Sequence, residues 1–140
     1  MVPNIEQMVI KASESLKEAL IKINLNAQGL LFVLDDEGKL CGTITDGDVR
    51  RVLIAGAEIS VSVSEAMSKD FHFLSVDTKD SEITSMLAKL DVSHIPLISS
   101  DGKLVDYASV SRVRRIPIME PSLHGNELAY VTDCIKTNWL

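Results

Sequence analysis

The stretch Leu30-Leu31-Phe32-Val33-Leu34-Asp35-Asp36-Glu37-Gly38-Lys39-Leu40 is answered later in the chain by Ile95-Pro96-Leu97-Ile98-Ser99-Ser100-Asp101-Gly102-Lys103-Leu104. Each reads as an apolar strand running into a polar turn, with Gly38 or Gly102 free to take the positive φ of a tight hairpin, and a second strand is expected after each. The two glycines are 64 residues apart. Ahead of these hairpins lie two helical stripes, Leu16, Ala19, Leu20 and Ile23, then Ile83, Met86, Leu87 and Leu90, both at i, i+3, i+4, i+7. Ser13 and Asp80 sit three residues before each stripe and are the expected helix caps. The stripes are 67 residues apart, which predicts three extra residues in the first copy, between Ile23 and Gly29. Short strands are expected at Val9-Ile10 and Phe73 to Val76. The predicted order per copy is strand-helix-strand-strand-helix, an α+β (α/β-like) fold of two pseudo-symmetric motifs. A single copy of about 60 residues buries little surface, so the two should pack as one module. The segment Gly56 to Lys69, with Val61, Val63, Ala66 and Met67, reads as a packed connector.

Composition bounds the function. The chain has 140 residues, 46% hydrophobic and 24% charged, and 20 acidic against 14 basic side chains give a formal charge of −6. That balance argues against nucleic-acid binding, which rests on clustered Lys and Arg; aromatics at 4% leave few stacking platforms. The longest uncharged apolar run, Gly29 to Leu34, falls far short of the roughly 20 residues of a membrane span. Cys41 and Cys134 lie far apart without CxxC spacing, and the N-terminus does not read as a secretory signal. The expectation is a cytoplasmic protein with no membrane and no nucleic-acid partner.

The residues that could carry chemistry cluster in Thr45-Asp46-Gly47-Asp48, where an apolar strand enters and a helix leaves with Val49, Val52 and Leu53, stopping at Gly56. Free N–H groups at that helix start attract an anion, and Arg50 and Arg51 supply positive charge. Asp48 with Thr45 suits the vicinal hydroxyls of a ribose. The alternative is that Thr45 or Asp46 only caps the helix and the arginines are solvated. Other constellations fail. Asp35-Asp36-Glu37 lacks the alternating ligands of a calcium loop, and Arg50 occupies the next ligand position after Asp46 and Asp48. Ser109 and Ser111 have no activating partner, and His72 and His124 have none at metal spacing. No catalytic site and no metal site are expected.

Two copies in this order, with Gly42-Thr43-Ile44-Thr45-Asp46-Gly47-Asp48 closing one hairpin and Ser93-His94-Ile95-Pro96-Leu97 opening the other, resemble a tandem pair of cystathionine-β-synthase-type (CBS) domains over roughly Met8 to Arg114. The resemblance implies a regulatory, homodimeric module that requires no cofactor and binds an adenosine-type nucleotide, AMP, ADP, ATP or a related one, between the copies. It puts Thr45 and Asp48 at the ribose and His94, before Ile95 and Pro96, near the phosphate, though a lone His is also an ordinary surface or core residue. Ile10, Lys11 and Ala12 then line the base pocket, or else simply pack in the core. In the second copy Ser109 replaces the Thr, but Arg112 stands where the Asp would be, so one ligand per chain is expected. The stretch Thr45 to Arg51 is similar to CBS pairs attached to sugar-phosphate isomerases and sugar nucleotidyltransferases. Pro117 to Glu127, with Tyr130-Val131 and Thr137 to Leu140, resembles the opening of pyridoxal-phosphate-dependent nucleotide-sugar aminotransferases, and Glu127 to Trp139 is expected as a short helix.

The division that follows is a first motif with connector over 1–66, a second over 67–116, and a tail over 117–140. Three functions stay open: a nucleotide sensor controlling a nucleotide-sugar or polysaccharide enzyme downstream, a dimerisation scaffold without ligand, and a fragment of a sugar aminotransferase. Val49, Val52 and Leu53, with Val110 and Val113, add apolar faces that favour a homodimer.

Overall fold

In the computed structural model, residues 2–113 are described; the expectations for the 117–140 tail lie outside them. The first half runs β1 (Val9–Lys11), α1 (Leu16–Asn26), β2 (Leu30–Leu34), β3 (Leu40–Thr45) and α2 (Asp46–Ile54). The second runs β4 (Leu74–Ser75), α3 (Asp80–Leu90), β5 (His94–Ile98), β6 (Leu104–Ser109) and α4 (Val110–Val113). Each half carries a three-stranded sheet, β1-β2-β3 or β4-β5-β6, with a parallel pair followed by an antiparallel hairpin. Gly38 and Gly102 turn the two hairpins at φ 80° and 82°, where a side chain would be strained.

The 64-residue offset of these glycines holds for the helices as well, since α1 and α3 begin at 16 and 80 and end at 26 and 90. Both helices stop on a left-handed residue at the same offset, Ala27 and Asp91. This overturns the expected 67-residue offset and the three-residue insertion: Ala19 matches Ile83 and Ile23 matches Leu87, all four buried. A stripe at i, i+3, i+4, i+7 nearly overlays itself when slid by three or four residues, so apolar spacing alone does not fix its register. The caps are corrected too. Ser15, not Ser13, accepts from the Glu18 N–H at 3.2 Å. Helix α3 starts on Asp80 itself, preceded by Lys79, which makes no side-chain cap bond.

One face of each sheet packs on its own helices. In the first half Ile10, Leu31, Val33 and Ile44 meet Leu16, Ala19, Ile23 and Val49; in the second Ile95, Leu97 and Ala108 meet Ile83 and Leu87. The other faces turn toward each other. Between them Met8, Phe32 and Tyr107 form a third buried cluster, with the Phe32 and Tyr107 rings 5.9 Å apart. The two turns also meet, the Leu40 N–H donating to Gly102 O at 3.3 Å.

The connector is packed as expected. Its Val61 and Val63 join the first core, and Leu16 N–H donates to Val61 O while Val63 N–H donates to Glu14 O. Ser68 then pairs with Thr43 through two backbone hydrogen bonds of 2.9 and 2.7 Å, so the chain enters the second half along the edge of β3.

Candidate functional site

Along β3 the residues alternate, so Gly42 and Ile44 are buried on the helix side while Thr43 and Thr45 share the face toward the other half. Facing them is a cleft of about 310 Å³, lined from the first half by Leu30, Phe32 and Thr43, from the second by Ser93, His94 and Pro96, and by the lead-in to β4, Asp70, Phe71 and His72. Asp91 and Val92 complete its lining, which mixes apolar and polar side chains and includes two carboxylates, Asp70 and Asp91, and its size is at the small end for ligand pockets. Thr45 lies two residues beyond Thr43 on the same face, at the start of α2.

At that helix start the side chains are engaged with one another. Thr45 Oγ1 accepts from the Asp48 N–H at 3.1 Å and donates to Asp48 Oδ2 at 2.8 Å, while Asp48 Oδ2 also accepts from the Thr45 N–H at 2.9 Å. This is a reciprocal capping box. The second carboxylate oxygen, Asp48 Oδ1, pairs with Arg51 at 3.1 Å, and Arg50 pairs with Asp46 at 2.6 Å. Both arginines are well exposed, so these pairs contribute little to stability and are easily exchanged for another anion.

His94 projects into the cleft with both ring nitrogens partnered: Nε2 donates to the Gln28 amide oxygen at 3.0 Å and Nδ1 accepts from the Ser93 hydroxyl at 2.8 Å. Burial holds its pKa below the ordinary histidine value, so at neutral pH it is an uncharged donor and not a cation. Ile95 is fully buried in the second core, and Pro96 is buried while lining the cleft.

The remaining sequence-predicted positions lie elsewhere. Ile10 is 2% exposed in the first core. Lys11 is exposed, its N–H donating to Glu14 at 2.7 Å. Ala12 uses its carbonyl to hold Ser62 and Ser64 of the connector. Lys11 pairs with Leu34 and Thr45 with Leu30, opposite ends of β2, which separates them by roughly 13 Å at strand rise. The structure therefore brings Asp70, Phe71 and His72 to the Thr43 end of the sheet in place of Ile10 to Ala12. No motif in those three residues signals this; it follows from the Ser68 to Thr43 pairing. Among the described residues no three His, Cys, Asp or Glu side chains gather as metal ligands. Burial pushes the Cys41 thiol pKa up, leaving it a weak nucleophile.

The second half differs at the matching place. Ser109 Oγ accepts from the Arg112 N–H at 3.3 Å, as Thr45 does from Asp48. The Arg112 guanidinium, however, folds back over the Tyr107 ring, 4.4 Å from its centroid. It donates to Asp106 Oδ1 and to Tyr107 O, each at 2.6 Å.

Comparison with known proteins agrees with this architecture. The profile of the CBS domain matches residues 1–55 and 63–120. The arabinose 5-phosphate isomerase GutQ of Salmonella typhi is 28% identical over 95 residues, covering 68% of this chain and 30% of that protein, so the chain spans under a third of this relative's length. The solved CBS domains of a transcriptional regulator from Streptococcus pneumoniae match at a TM-score of 0.68 and 14% identity, covering 81% of this chain and 92% of that one. The cytosolic domain of the Mg2+ channel MgtE in complex with ATP matches at a TM-score of 0.63 and 22% identity, covering 76% of this chain and 43% of that one. Among the described residues no helix is long and apolar enough to cross a membrane.

Proposed function

The chain belongs to the CBS-domain family, and from that premise we propose that it is a regulatory module that binds an adenosine-type nucleotide in the cleft between its two halves. One observation carries the reading: Thr43 lines one concave space with His94, Pro96 and the Asp70 to His72 lead-in, and Thr45, two residues further along β3, caps the helix that holds Asp48. Asp48 exchanges its bonds to Thr45 and Arg51 for the ribose hydroxyls, Arg51 is released toward phosphate, and the base lies against Phe71. His94, neutral, donates one hydrogen bond to a phosphate oxygen after giving up Gln28. The ATP in the MgtE complex supports this ligand class. Because the ligand touches both halves, it favours one relative placement of them, which is what a regulatory signal requires.

The target proposed is an enzyme of nucleotide-sugar or polysaccharide synthesis, a reading supported by the similarity to an arabinose 5-phosphate isomerase. The aminotransferase-like residues 117–140 point to a sugar aminotransferase as that enzyme. The module acts as a homodimer; Val49, expected on the dimer face, is instead buried in the first core with Val52 and Leu53 packed against it, and the apolar surface that supports a dimer is that of Leu25 and Ile54, 77% and 81% exposed on α1 and α2. A second reading, a dimerisation scaffold without ligand, is favoured by the capping box alone, since Thr45 and Asp48 already satisfy each other.

A thermal-shift panel of AMP, ADP, ATP, adenosylmethionine, and CMP- and UDP-sugars separates the two. A nucleotide at 100 times its dissociation constant stabilises the chain by about 2.7 kcal/mol. No shift with any of them supports the scaffold, and a monomer mass by light scattering across micromolar concentrations rejects the dimer in either reading.

A further inference from the structure

Charge is unevenly placed around the cleft. Two carboxylates line it, Asp70 on the lead-in to β4 and Asp91 at the end of α3, and among the described residues no Lys or Arg does. Asp91 is set there by the backbone, since it takes the left-handed conformation, φ 51°, that closes the helix just ahead of Ser93 and His94. Both carboxylates are exposed, and among the described residues neither is ion-paired. Lys69, next to Asp70 in the chain, is exposed and lines no part of the cleft. The cations of the proposed site are the two arginines of α2, and each already has a carboxylate: Arg50 pairs with Asp46 at 2.6 Å and Arg51 with Asp48 at 3.1 Å. A ribose that takes Asp48 frees Arg51 and leaves Arg50 on Asp46, so one ligand releases one guanidinium. That cation and the N–H of the neutral His94 ring match a single phosphoryl group. A second or third phosphoryl would bring negative charge toward Asp70 and Asp91 with no cation to meet it.

We infer that the cleft selects its ligand by charge: the ligand is a nucleoside monophosphate, and Asp70 and Asp91 discriminate against the diphosphate and the triphosphate. The inference rests on the nucleotide reading of the cleft and narrows it to one charge class. Contacts to the base and ribose are common to AMP, ADP and ATP and cannot tell them apart, so discrimination needs a repulsive element, and the two carboxylates supply it. Because both are exposed, their repulsion acts through water and weakens as salt screens it.

Calorimetric titration of the full chain with AMP, ADP, ATP and adenosylmethionine, without divalent cations, tests this on the parent, Asp70→Asn and Asp91→Asn. Asn keeps the size of each side chain and tolerates the left-handed backbone at position 91. The two substitutions lie on different segments, so a folding failure of one leaves the other as the test. In the parent, AMP is expected to bind roughly tenfold or more tightly than ATP, with ADP between them. The ratio is expected to fall about threefold or more in each variant and to shrink in the parent as salt is raised. ATP bound as tightly as AMP by the parent, a ratio unmoved by salt or in a folded variant, or adenosylmethionine bound more tightly than AMP overturns the charge selection while keeping the nucleotide reading. No binding of any of the four to the parent overturns both.

Discussion

The Asp48 carboxylate closes back on Thr45, accepting from its N–H at 2.9 Å and from its hydroxyl at 2.8 Å. The same atoms that the proposed reading assigns to a ribose thus hold the first turn of α2 together, and a ligand bound there would trade one set of hydrogen bonds for another.

Thr45→Ala removes the side-chain cap of a nine-residue helix and is expected to cost about 1 kcal/mol of stability. Thr45→Ser keeps the hydroxyl and is expected to lose well under half of that. Urea unfolding of the three proteins, at equal slope, checks the order.

Gly42→Ala forces a Cβ to within 2.8 Å of the Ser68 carbonyl, which is backbone held by two hydrogen bonds to Thr43. The expected cost is about 1–3 kcal/mol from overpacking. The measurement is a denaturation midpoint, and amide exchange at Thr43 and Ser68 is expected to quicken as their pairing loosens.

His94 is expected to make stability depend on pH. Burial lowers its folded pKa below the unfolded value near 6.5, so the unfolded chain binds the proton more readily. The stability it contributes is fully present above pH 6.5 and is lost as pH falls through the folded pKa. Melting temperatures at pH 7.5 and 5.5 are expected to differ more in the parent than in His94→Gln, with every other titrating group common to both proteins.

Much of this fold is legible in the sequence because each hairpin announces itself: an apolar run, a turn and a glycine, twice, at one spacing. The helices announce their existence and not their register, since Leu16 to Ile23 and Ile83 to Leu90 satisfy the same period at shifted positions. The left-handed residues Ala27 and Asp91, which end the helices, are not glycines and give no signal. Asn26 is similarly silent; it is 6% exposed and donates to Gln7 O and Leu30 O, yet it reads in the sequence as a polar helix residue. Thr45 and Asp48 stand out because polar residues interrupt an apolar strand at a helix start. The lead-in Asp70 to His72 does not, because its place at the cleft depends on a long-range pairing. The role of Arg112 is half legible: the missing acceptor shows, and its clamp by Asp106 and Tyr107 appears only when β6 and α4 are folded.

In the function proposed above, a nucleotide sits at Thr45 and Asp48, between the halves and on one side only. Backbone amide NMR of the full chain titrated with AMP, ADP and ATP tests it most directly. At least one of them is expected to shift the amides of Thr43, Thr45, Gly47, Asp48, Phe71, His72 and His94, while those of Asp106 to Arg112 stay in place. Shifts centred on Ser109 to Arg112, or none with all three nucleotides, would contradict it.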